Sequence, residues 1–358
     1  MPNATTTLMD IRSANIDEIT ALIGTLNEKP FRAKQIFRWI HARQANSFDK
    51  MTDLGKDLRT RLHDAARLSS ITIVQKQESL LDGTIKYLFE FENETIIGRD
   101  EKTTAVCAEA VLMRHSYGNT VCISSQAGCR MGCKFCASTL NGLARNLTAG
   151  EMAGQIYAIA KDTNADVTRT VVMGCGEPLD NYDHLLRFLQ LINAADGHHM
   201  SHRNITVSTC GLVDKMRRLM KENLQITLAV SLHAPNDDIR KTLMPIANKH
   251  PMDELLSACR EYGDRTKRRV TFEYALIAGV NDSATHAQEL AGKLKHMLCH
   301  VNLIPVNEIN EREFQKSNDA AVERFAKTLQ SRGVDVTIRK RHGADIDAAC
   351  GQLRQKKQ

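Results

Sequence analysis

The chain has 358 residues, 42% of them hydrophobic and 25% charged, a balance that supports a sizeable core in one large domain or a large domain with a smaller companion. Its formal charge of +6 suits a polyanionic partner without requiring one. No run of about 18 apolar residues is available to span a bilayer, and MPNATTTLMDIRSAN lacks the basic start and apolar run of a secretory signal, so a cytoplasmic protein is expected. Ten cysteines then point to metal or catalytic roles rather than a disulfide framework, with Cys107, Cys259 and Cys299 read as plain buried thiols.

In chain order, residues 1–70 read as a helical unit. Ile16, Ile19, Ile23 and Leu26 recur at helical spacing, as do Met51, Leu54, Leu58 and Leu62. Between them, FRAKQIFRWIHAR sets Phe31, Ile36, Phe37 and Ile40 against Arg32, Lys34, Arg38 and Arg43. That is an amphipathic helix whose basic face is either simply solvated or turned to phosphates. Over residues 71–114 the period changes to two, with alternating runs about an Asp82-Gly83 turn, a hairpin read as a β connector.

Residues 115–345 alternate strands and helices. The strands are TVCISS, RTVVM, NITVS, QITLAVSLH, RVTFEYALI and HVNLIPV; helices are expected near Thr148–Lys161, Tyr182–Ala194, Val213–Met220, Asp253–Tyr262 and Ser283–Met297. Thr148 and Glu151 have the capping-box form of a helix start. Six β/α units in succession predict an α/β fold with a parallel sheet rolled into a partial or complete β/α barrel. A helix (Asp319–Ser331), a strand (Val334–Arg339) and a tail over 346–358 follow.

QAGCRMGCKFC places Cys129, Cys133 and Cys136 as C-x3-C-x2-C, just past the carboxyl end of the first of these strands, where β/α barrels carry their chemistry. A tetrahedral zinc site wants four ligands. Three thiolates on three irons of a cubane leave the last iron open to a small molecule, which accounts for three cysteines better than zinc does. In MGCGEPLDN, after the second strand, Gly174 and Gly176 allow close backbone approach and Glu177 can accept a hydrogen bond from a ligand amine. VSTCG, VSLHAPND and IPVNEIN end strands three, four and six with Ser208, Ser231, His233 and Asn307. In that series His233 reads as more than a structural histidine.

The cysteine spacing, with Phe135 just before the last cysteine, resembles the CxxxCxxC motif of the radical S-adenosylmethionine (SAM) superfamily, and GCGEP resembles its GGEP-type SAM motif. Two further cysteines narrow the resemblance: Cys122, seven residues before Cys129, and Cys350 in DIDAACGQL. With them, the chain resembles the adenosine carbon-2 methyltransferases of ribosomal and transfer RNA. CISSQAGCRMGCKFCAS, GLARNLTAGE, GCGEPLDNY, SLHAPND, GVND, NLIP and DIDAACGQL run in that family's order, from about Pro30 to Leu353.

The resemblance implies a radical SAM partial (β/α)6 barrel with an N-terminal helical accessory domain that binds RNA. It implies one 4Fe–4S cluster on Cys129, Cys133 and Cys136, and two SAM per turnover. Phe135, Gly176, Glu177, Ser208, Ser231, Leu232, His233 and Asn307 would contact SAM. Cys350 would carry a methyl group, lose a hydrogen from it to a 5′-deoxyadenosyl radical and bond covalently to RNA. Glu109 would act as general base, and Cys122 would release the product through a Cys122–Cys350 disulfide. The implied substrates are adenosine 2503 of 23S ribosomal RNA, before assembly is complete, and adenosine 37 of some transfer RNAs. A flavodoxin or ferredoxin would supply electrons to a monomer, with no membrane partner. Cys175 and Val306 depart from the family's usual methionine and aromatic. Two other readings stand beside this one: the sister group that methylates carbon 8, disfavoured by Pro178 where that group tends to have alanine, and a non-catalytic zinc-bearing RNA-binding protein.

Overall fold

The computed structural model describes residues 8–92 and 106–354; the remaining parts of the expected helical unit, connector and tail lie outside them. The helical unit begins at β1 (Met9–Asp10) and α1 (Ile16–Thr25), which starts on a capping box: Asn15 Oδ1 accepts the Glu18 amide and Glu18 Oε2 accepts the Asn15 amide, both at 2.8 Å. α2 (Phe31–His41) buries Ala33, Ile36, Phe37 and Ile40. On its other side Lys34 and Arg38 reach Asp196 of the core at 2.9 and 2.7 Å, so two of the cations expected to be free for phosphates hold the unit to the core. α3 (Lys56–Ala65) starts later than the Met51–Leu62 periodicity suggests, because Gly55 before it is extended. β2 (Ala66–Arg67) pairs in parallel with β1 and closes the unit.

β3 (Ile71–Glu78), β4 (Ile85–Phe91), β5 (Val106–His115) and β6 (Gly118–Ile123) form an antiparallel meander. The hairpin read as a connector therefore extends the core sheet itself. β7 (Gln126–Gly128) and β8 (Leu143–Asn146) pair as a small ribbon that bounds the cysteine loop. Then α4 (Ala149–Thr163), β9 (Val167–Val172), α5 (Tyr182–Asn193), β10 (Ile205–Thr209), α6 (Val213–Lys221) and β11 (Thr227–Ser231) alternate. They are followed by α7 (Asp237–Leu243), α8 (Met252–Thr266), β12 (Val270–Leu276), α9 (Ala284–Leu294), β13 (Cys299–Pro305), α10 (Asp319–Ser331) and β14 (Val336–Ile338). The short α7 was not expected; Asn236 caps it by accepting the Ile239 amide at 3.0 Å.

The sheet runs β14-β13-β12-β11-β10-β9-β6-β5-β4-β3, reverse chain order throughout, and from β6 to β14 every pairing is parallel. β14 and β3 are its two edges, so the parallel part is an open barrel. Strands covered on both faces read as continuous apolar runs, and every residue of β12 is buried. One core joins the two regions: Ile19, Ile23, Phe37 and Ile40 belong to the same packed cluster as Phe188, Phe272 and Leu303.

Candidate active site

The cysteine loop is held mainly by backbone. Gly128 enters it at φ +79, where an added Cβ would lie 2.0 Å from the Gly142 carbonyl oxygen, so only glycine fits. The Cys129 amide donates to that same carbonyl at 2.9 Å, the Lys134 amide to Leu243 O at 2.9 Å, and Thr139 Oγ1 to the carbonyls of Cys133 and Cys136. Cys129, Cys133 and Cys136 line one cavity. Burial pushes the Cys129 thiol up to about 12 and raises Cys133 well above the usual thiol value, with the neighbouring cysteines adding to the rise at each. Three soft donors that resist becoming thiolates in a neutral pocket suit a cationic iron–sulfur group, whose charge offsets both burial and mutual repulsion.

The same cavity is lined by Phe135, Gly176, Glu177, Ser208, Ser231, His233 and Asn307. Gly176, at φ +103, passes so near Gln126 that a Cβ would lie 2.6 Å from that side chain. Glu177 is buried, its carboxyl raised by burial, and it accepts the amides of Cys210 at 2.7 Å and Leu179 at 3.0 Å. His233 takes φ +54, stands edge-on to Phe135 at 4.7 Å and accepts the Ala275 amide on Nδ1 at 2.8 Å. Burial and then Arg240 push it down to about 3, so it is a neutral imidazole. Leu232 differs: its side chain packs in the main core, outside the cavity lining, while its amide donates to Glu273 O at 3.0 Å.

Cys350 lines this cavity and also a second one, which Cys122 lines. Burial, then Cys350, pushes the Cys122 thiol up to about 12. The tail bearing Cys350 is pinned from several sides. The Ala137 amide donates to Gly351 O at 2.8 Å, Ser138 Oγ to Leu353 O at 2.7 Å, and Asn307 Nδ2 to Cys350 O at 3.0 Å. At its start Asp345 accepts from Ser79 Oγ at 2.6 Å and the Leu80 amide at 2.9 Å, at the β3–β4 turn. Asn307 thus touches the tail as well as the cavity. Glu109 is buried on β5; its Oε2 accepts the Arg354 amide at 2.7 Å and its Oε1 lies 3.5 Å from Lys86 Nζ. It lines neither cavity.

Three residues join the site without having been singled out. Arg339 lines both cavities and stands 3.7 Å from Glu273; its guanidinium is raised, with Cys350 the largest cause and Glu273 next after burial opposes it. Glu273 itself lines the first cavity, and burial raises its carboxyl. A glutamate inside the otherwise apolar strand VTFEYAL was the available signal. Ser138 is the third, reaching the tail and, at 3.5 Å, Cys175 Sγ. The two departures are both packed: Cys175 with Cys122 and Leu353, Val306 with Phe135 and Cys133.

An open parallel barrel with three cysteines at a strand's carboxyl end defines a radical SAM protein, and residues 123–291 match the model of the radical SAM superfamily. Residues 8–68 match the ribosomal RNA large subunit methyltransferase N-terminal domain. The chain is 49% identical to a probable dual-specificity RNA methyltransferase RlmN from Desulforamulus reducens, over 97% of this chain and 96% of that protein. A relative of the same description from Lachnospira eligens is also 49% identical, over 98% and 97% of the two chains. The crystal structure of a radical SAM methyltransferase from Sphaerobacter thermophilus superposes with a TM-score of 0.90 at 42% identity, covering 97% of this chain and 99% of that one. The chain belongs to the RlmN family of radical SAM RNA methyltransferases. No helix of the described residues is long and apolar enough to cross a membrane.

Proposed function

We propose that this enzyme methylates carbon 2 of an unstacked RNA adenine, at adenosine 2503 of 23S ribosomal RNA and at adenosine 37 of some transfer RNAs, in the cytoplasm. The observation that carries the reading is Cys350, which borders the cluster cavity on one side and the Cys122 cavity on the other. Cys129, Cys133 and Cys136 would hold a 4Fe–4S group, which would supply the electron that cleaves SAM reductively.

The chain's own residues do the rest. Gly176 admits the cofactor's backbone-close approach, Glu177 orients its amine, and Phe135, Ser208, Ser231, His233 and Asn307 complete its contacts. Cys350 takes a methyl group from one SAM by polar transfer, in the two cavities that Arg339 also lines. The methyl carbon, after losing a hydrogen atom, bonds as a radical to carbon 2 of the adenine, and the adduct's unpaired electron would return to the oxidised 4Fe–4S group. Glu109 takes the proton from carbon 2, and its Oε2 holds the Arg354 amide of the tail. Cys122 sulfur then attacks Cys350 sulfur, the carbon–sulfur bond breaks toward carbon, and a proton completes the methyl group as the disulfide forms.

Mass spectrometry of ribosomal and transfer RNA from cells lacking their own enzyme and expressing this one tests the reading. Expected is 2-methyladenosine in both; 8-methyladenosine would overturn the choice of carbon.

A further inference from the structure

A third hollow opens beside the Cys122 cavity and shares Met113, Arg339, Lys340 and His342 with it. Arg339 lines all three hollows, so they form a series from the cluster cysteines, past Cys350, to the surface. The outermost spans the barrel's open side: Arg339, Lys340 and His342 follow the carboxyl end of β14, while its other residues reach toward the amino ends of β9–β11. Asn204 immediately precedes β10, Thr227 opens β11, and Arg169 lies in the first half of β9, whereas Ser208 and Ser231 are at or near the carboxyl ends of their strands.

The chemistry of this mouth is one-sided. Tyr117 is 61% exposed and stacks on His115 with ring centroids 4.7 Å apart and planes 11° apart. The Arg169 guanidinium lies over the Tyr117 ring at 4.9 Å. Arg203, Lys340 and Arg341 are exposed around it; these three and Arg169 have no carboxylate partner among the described residues. Among the described residues, no aspartate or glutamate lines either the mouth or the Cys122 cavity. His115 titrates below its usual value, through burial first and then His342, Arg169 and Arg339, as an electropositive setting requires. The helical unit makes a contrast, since its Lys34 and Arg38 are engaged with Asp196.

An exposed aromatic ring backed by a second ring and ringed by unpaired cations is the combination that holds a single-stranded nucleic acid: bases stack on the ring and phosphates meet the cations. We infer that the RNA strand flanking the target adenosine docks on this mouth, one base replacing Arg169 over the Tyr117 ring and its phosphates meeting the displaced Arg169 with Arg203, Lys340 and Arg341, so that the flipped adenine reaches Cys350 through this opening. The inference rests on the proposed RNA methyltransferase reading.

The test uses anaerobically purified holoenzyme and a fluorescent RNA hairpin with an open adenosine loop, with binding followed by anisotropy across a salt series. Tyr117→Ala should weaken binding about tenfold while Tyr117→Phe keeps it. Arg169→Ala and Arg203→Ala should each lower the salt slope by about 0.7, the effect of one lost single-strand phosphate contact. Iron content and S-methylation of Cys350, which needs no RNA, should match wild type in every variant. Wild-type affinity and slope in the variants would overturn the docking surface alone. Failure of the wild type itself to bind the hairpin would overturn the RNA reading beneath it.

Discussion

The two sides of Cys350 are built differently. On the cluster side the cysteine loop is local: Cys129, Cys133 and Cys136 lie between the paired strands β7 and β8, and a glycine–carbonyl contact from Gly128 to Gly142 shapes it. On the thiol side the parts come from across the chain. Asp345 is bonded to Ser79, 266 residues away, and Arg354 to Glu109, 245 residues away. The cluster side is a rigid cradle and the thiol side is an assembled latch. That difference suits the proposed reaction, in which the metal group would stay and Cys350 would meet two partners in turn.

Perturbing each side separates them. Cys350→Ala should abolish any covalent RNA adduct with iron content intact, and Cys122→Ala should trap the adduct; denaturing gels with labelled RNA show both, and an adduct in Cys350→Ala would assign the wrong carrier. Glu109→Gln should slow adduct resolution by about 10²–10⁴, the usual reach of a positioned base. Burial raises the Glu109 carboxyl against the pull of Lys86 and Arg354. The base form is lost as pH falls through that raised value, so the acid limb of single-turnover resolution should sit above the ordinary ~4.3 and vanish in the glutamine variant. Asp345→Asn weakens the latch; about fivefold slower S-methylation of Cys350 is expected from the weakened pair of hydrogen bonds, read by intact-protein mass spectrometry with unchanged iron. Gly128→Ala should do the reverse, lowering reconstituted iron by roughly half or more as the loop shifts from Gly142.

The cluster side was legible because its chemistry is written in adjacent residues: three cysteines at fixed spacing just past a strand whose alternation with helices is plain. Ser208, Ser231 and Asn307 were legible for a related reason, since a strand's carboxyl end can be located from periodicity alone. Leu232 shows the limit, for position at a strand end does not say which way a side chain points. Arg339 shows another: in TIRKRH it is one cation of several, and only the sheet's order brings it between Glu273 and Cys350. The hairpin over residues 71–91 was recognisable as a hairpin, but its membership of the core sheet and its grip on Asp345 are long-range facts.

By itself the sequence determined the parallel strands of the barrel and the spacing of the three-cysteine loop, since each rests on local period or on spacing, while the pairing of Cys122 with Cys350 is what the family resemblance implies. Only the tertiary structure decided that Cys350 stands between two cavities, that Glu109 is tied to the tail, and that the free cations gather at the barrel's open side while Lys34 and Arg38 of the helical unit meet Asp196. Those outcomes depend on which carboxylates and carbonyls a folded chain brings within hydrogen-bonding reach, and a charge's partner across hundreds of residues leaves no periodic trace.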